Sequence, residues 1–135
     1  MTKRGQMAPA RTLKTLRSTV VALFLSVAGA TAAGAILHNR LTKSAPEKDS
    51  VVSSAPAMIR LWFAEPPEPA LSGITLLRPD STKVTLEKLK KTDDPLSVSA
   101  ALAAPLAPGS YTVEWKASGK DGHVIRGKYQ FTFKP

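Results

Sequence analysis

The sequence predicts an all-β domain, a Greek-key β-sandwich of immunoglobulin-like kind with about seven strands, preceded by an N-terminal signal or anchor helix. Three observations carry this. Short runs alternate apolar and polar residues with a period of two, as in Ile59-Arg60-Leu61-Trp62-Phe63 and Tyr111-Thr112-Val113-Glu114-Trp115. Clusters of Pro, Gly, Ser and Asp separate the runs at the spacing of sandwich turns. Outside the N-terminal segment, no stretch repeats its apolar residues with a helical period.

The N-terminal segment is basic through Lys3, Arg4, Arg11, Lys14 and Arg17, has no acid before Glu47, and is uncharged from Val20 to Leu37. Small residues at Ala30-Thr31-Ala32 and Ala33-Gly34-Ala35 offer two cleavage sites, which completes the pattern of a secretory signal peptide. Residues 1–35 are therefore expected to be a signal and residues 36–135 the domain. An uncleaved anchor is the alternative, since the apolar run would extend about 27 Å as a helix at roughly 1.5 Å per residue. Its many Ala, Gly, Ser and Thr residues make it weakly hydrophobic for a span, so cleavage is favoured. In either case the basic flank stays cytoplasmic and the domain is sent outward, to a periplasmic or extracytoplasmic location.

Five of the nineteen Lys and Arg residues precede Ile36 and no acid does, so fourteen basic residues face ten acids in the remainder, about +4. Most of the formal +9 is thus a targeting feature. Lys88, Lys90 and Lys91 form the basic cluster of the domain; without interleaved aromatics they read as a solvated face, and no nucleic-acid partner is expected. The chain has no cysteine, which excludes disulfides, thiolate metal sites and thiol nucleophiles.

Along the domain, His38 to Ser44 is expected as an edge strand ended by Ala45-Pro46, and Glu47 to Pro56 as a turn-rich connection. Met58 to Phe63 is a strand with Ile59, Leu61 and Phe63 on one face and Met58, Arg60 and Trp62 on the other. Glu65-Pro66-Pro67-Glu68-Pro69 is a rigid loop, because three prolines remove ladder donors. Gly73 to Leu77 and Lys83 to Leu86 are strands about the Arg78-Pro79-Asp80-Ser81 turn. Glu87 to Pro95 is charged and exposed, Leu96 to Ala100 alternates again, and Pro105 to Gly109 turns the chain. Two last strands, Tyr111 to Lys116 and Lys128 to Phe133, flank a loop from Ala117 to Gly127 that carries three glycines.

Asp121-Gly122-His123 lies where that loop meets the final strand. In extended backbone, residues two apart point to one face, so one metal ion could touch both side chains. His123 and His38 are the two histidines of the chain. Two imidazoles and a carboxylate suit the tetragonal plane of Cu(II), with a free N-terminal amine as a fourth donor. Competing with this, Asp-Gly is common in turns and an isolated histidine is usually a surface residue.

From His38 onward the chain resembles the copper-resistance protein C (CopC) family of small periplasmic copper-binding β-sandwiches. The resemblance rests on His38-x-x-Leu41-x-x-Ser44-x-Pro46, on Ile59-x-Leu61-x-Phe63-Ala64-Glu65-Pro66, and on Leu106-x-Pro108-Gly109-x-Tyr111-x-Val113-x-Trp115. Asp121-Gly122-His123 with Gly127 and Phe131 completes it. The resemblance implies Cu(II) ligands at His38, Asp121 and His123, with Glu65 as a carboxylate near the copper. It also implies a role in copper sequestration, resistance or delivery to a membrane copper importer. Trp62 and Trp115 read as core or near-core packing. Two departures matter: residues 36–135 contain the single methionine Met58, so a soft Cu(I) site is not expected, and Gly119-Lys120 stands where the family usually has a serine before the Asp.

A monomeric binding protein and no enzyme is expected. Two alternatives are a copper-free interaction module and a histidine-brace copper monooxygenase. Asp121 argues against the latter by occupying a position that oxygen chemistry needs open. The site also depends on the start of the exported chain. Cleavage after Ala35 leaves Ile36-Leu37-His38, in which the third-position histidine can bind Cu(II) with the amine and two amides; His38 is nevertheless expected to join Asp121 and His123 through its ring.

Overall fold

Alternating runs dictate most of the elements, and the two longest form the final hairpin. The computed structural model of the chain describes residues 39–135; the expected export segment, residues 1–35, and His38 lie outside the described residues. In chain order the strands are β1 (Leu41–Ala45), β2 (Val51–Val52), β3 (Met58–Phe63), β4 (Gly73–Leu77), β5 (Lys83–Val84), β6 (Lys90–Lys91), β7 (Ser97–Ala101), β8 (Gly109–Ser118) and β9 (Val124–Phe133). No helix occurs among the described residues.

The strands build two sheets, one of order β1-β3-β7-β6 and one of order β2-β9-β8-β4-β5. The period of two puts Ile59, Leu61 and Phe63 of β3 on an inner face, each at most 1% exposed. Tyr111, Val113 and Ala117 of β8, with Tyr129, Phe131 and Phe133 of β9, supply the facing layer. Each fully buried side chain of this kind contributes about 1.5–3 kcal/mol relative to exposure, which is what holds a domain without disulfides together. Phe63 meets Trp115 edge-on across the sheets at 5.4 Å between centroids, and Tyr111 stacks on Phe131 at 5.6 Å. The Tyr111 hydroxyl donates to the Ala107 carbonyl at 2.6 Å, tying the Pro105–Gly109 turn to the start of β8.

All seven expected runs form strands, and two short strands join them. β2, in the segment read as a turn-rich connection, pairs parallel with β9 through Val51↔Thr132 and Val52↔Phe133. β6, in the segment read as charged and exposed, pairs with β7, and both its lysines remain exposed at the sheet edge. Two residues are too few for a periodicity; the neighbouring strand's open ladder recruits them.

The hairpin also closes further than expected. β8 and β9 pair as far as Ser118↔Val124, so the loop is Gly119–His123 and not Ala117–Gly127. Gly127, expected in the loop, lies inside β9 opposite Trp115, and a Cβ there would fall 2.5 Å from Trp115 Cζ2. The glycine makes room for an indole rather than a turn.

Trp62 differs from the packing role expected. Its parity in β3 places it on the outer face of the four-stranded sheet, with the Arg60 guanidinium 4.5 Å and the Lys43 ammonium 5.0 Å from its ring centre. Its Nε1–H donates to Asp94 Oδ2 at 3.0 Å, while Arg60 donates to Ser97 and Thr92. Trp115, by contrast, is partly buried against the core.

Candidate metal centre

Asp121 and His123 share the short loop that joins β8 to β9. The Gly122 amide donates to the Gly119 carbonyl at 3.1 Å, closing a turn. Asp121 Oδ1 accepts the His123 backbone N–H at 3.0 Å, and Gly122 adopts φ 76°, a conformation glycine takes without a Cβ penalty. The backbone between the two candidate ligands is thus a turn, not the extended strand assumed from the spacing, and it is Asp121's own carboxylate that shapes it. Lys120, Asp121, Gly122 and His123 are all exposed. The hydrogen bond occupies one carboxylate oxygen and leaves Oδ2 for another partner; among the described residues the His123 ring has no hydrogen-bond partner.

Two further segments arrive at this loop. Asn39, the first described residue, packs its side-chain amide against Gly119: a Cβ on Gly119 would lie 3.1 Å from Asn39 Nδ2 and 3.2 Å from Asp121 Oδ1. Arg40 follows, its carbonyl accepting the Ala64 amide at 3.0 Å. That bond sets the residue before Glu65 beside the chain's entry to β1. Glu65 then lines a cleft of about 440 Å³ with Pro66, Lys120 and Asp121. The proline-rich loop is strapped to the same end of the hairpin, because the Glu68 amide donates to the Ser118 carbonyl at 2.8 Å and the Ser118 amide to Ser72 Oγ at 3.2 Å.

The fold therefore holds Asp121 and His123 in one short loop and sets Glu65 on the cleft that Asp121 also lines; His38 lies outside the described residues. Among the described residues no three His, Asp or Glu side chains converge as a metal cage. A carboxylate oxygen and an imidazole nitrogen are two donors of the kind Cu(II) accepts in its plane, and they need others to complete it. Lys120 adds a positive charge to the cleft that both carboxylates line. Sequence reasoning passed over Asn39. It is buried to 7% exposure, yet it sits in no alternating run, and nothing in its local sequence signals burial.

The CopC domain family model matches residues 41–134. Protein YobA of Escherichia coli strain K12 is 35% identical over 98 residues, spanning 72% of this chain and 79% of that protein. Copper resistance protein C of Escherichia coli is 35% identical over 107 residues, spanning 74% of this chain and 84% of that protein. Among solved structures, CopC from Methylosinus trichosporium OB3b superposes with a TM-score of 0.67 at 33% identity, covering 73% of this chain and 95% of that one. PcoC, a methionine-rich copper resistance protein from Escherichia coli, superposes at 0.66 with 35% identity, covering 72% and 99%.

Proposed function

The chain belongs to the CopC domain family, and on that premise we propose that it is an exported Cu(II)-binding protein of copper resistance or delivery. Relatives that it matches over most of their length carry the name copper resistance protein C, which supports copper as the cargo. The ligands we assign are His38, Asp121 and His123, with Glu65 as a nearby carboxylate. One observation carries this reading: the Asn39 amide lies against Gly119, in the loop that bears Asp121 and His123. The segment that enters β1 thus meets that loop at its first described residue.

The chemistry asked of the protein is binding, not turnover. Asp121, His123 and His38 would supply a carboxylate and two imidazoles, and export after Ala35 would add a free amine upstream. A periplasmic location belongs to the same proposal, supported by the basic and apolar N-terminal segment; so does delivery to a membrane copper transporter, which rests on the family resemblance alone. Competition titration with a Cu(II) chelator tests the site. One Cu(II) per chain is expected, with His123→Ala lowering affinity by at least about tenfold and Glu65→Ala by less, as befits a carboxylate outside the ligand set. Unchanged copper uptake in His123→Ala would sink the assignment.

A further inference from the structure

Asn39 is placed at the copper loop by a geometry that the ligand set does not use. The residue is 7% exposed, and its amide occupies the space that a Gly119 side chain would fill, next to Asp121 Oδ1. Its own Oδ1 is buried without a hydrogen-bond partner among the described residues. A buried amide oxygen left unpaired is costly, and such a group calls for the partner that would satisfy it. A metal-bound imidazole brings such a partner. With one ring nitrogen on the metal, the other carries N–H and is held by a carbonyl or carboxylate oxygen that fixes the ring's tautomer and orientation.

We propose that Asn39 is a positioning residue of the copper site: its amide wedges against Gly119, and its Oδ1 accepts the ring N–H of a copper-bound histidine. The inference rests on the copper reading above and names a residue that acts through a ligand rather than on the metal. A neutral amide suits the task because it orients the ring without adding a further negative charge beside Asp121 and Glu65.

Asn39→Leu tests this, since leucine keeps nearly the same shape and removes both polar atoms. Copper-free protein should melt at the same or a higher temperature, because an unpaired buried oxygen has been removed. Cu(II) affinity should fall about tenfold, the usual size of such losses. The electron paramagnetic resonance spectrum at full loading should change as the ring loses its orientation. Unchanged affinity and spectrum would overturn the proposal, and so would a parallel loss of copper-free Tm and affinity, which would reduce Asn39 to packing. His123→Ala in the same titration separates the two levels, because its indifference to copper would defeat the ligand assignment itself.

Discussion

Single atoms decide much of the behaviour of this domain. Tyr129 is 5% exposed and its hydroxyl lacks a hydrogen bond of ordinary geometry, with Ser44 nearby. Burial pushes its pKa up to about 12 from 10.0, against a smaller lowering by Ser44. The fold thus favours the neutral phenol. Its contribution is whole below the ordinary value of 10.0 and is lost as the pH rises from there toward about 12. Denaturant unfolding at stepped alkaline pH should show a decline on the order of 2 kcal/mol that Tyr129→Phe lacks. An identical decline in both proteins would exclude Tyr129 as its source. Gly127 is a second such point. Alanine there meets the Trp115 ring, so Gly127→Ala should cost about 1–3 kcal/mol by overpacking, measured as a lower unfolding midpoint.

At the scale of elements, the hairpin and the proline-rich loop act together on the site. The Ser72 hydroxyl accepts the Ser118 amide at 3.2 Å and donates to the Glu68 carbonyl at 2.7 Å, joining the loop after β3 to the end of β8. Ser72→Ala leaves a backbone amide of a buried residue without that acceptor and should cost about 1–3 kcal/mol. Because the same strap sets Glu65 beside Asp121, we expect hydrogen exchange to quicken in residues 64–72 and 118–123 together. Faster exchange in only one of the two segments would show that they are not coupled. The loop's prolines were legible as a break in the sheet, whereas its docking was not, since each of these bonds joins residues that are distant in sequence or depends on a serine with no pattern of its own.

For the whole molecule, a ligand held by the folded state alone stabilises it by mass action, so excess Cu(II) should raise Tm in proportion to the logarithm of its free concentration. Acidification should weaken that gain, because imidazole and carboxylate must be deprotonated to bind. Cu(I) should stabilise little, because Met58 is the one methionine among the described residues and the chain has no cysteine. Differential scanning calorimetry with Cu(II), and with Cu(I) under reducing, anaerobic conditions, checks the contrast. Equal stabilisation by the two ions would refute the argument from ligand softness.

By itself the sequence determined the layered architecture and the candidate donors, because period-two burial and turn chemistry are local properties that each run carries within a few residues. Ile59, Leu61 and Phe63 announce an inner face, and Asp121 and His123 announce a possible pair. Tertiary structure alone decided that Gly127 accommodates Trp115, that Val51–Val52 and Lys90–Lys91 pair at sheet edges, and that Trp62 faces outward between two cations. It also decided that Asn39 and Glu65 meet the Gly119–His123 loop. These are contacts between segments far apart in the chain, set by sheet order and register, and no local periodicity encodes which distant backbone will arrive beside a given side chain.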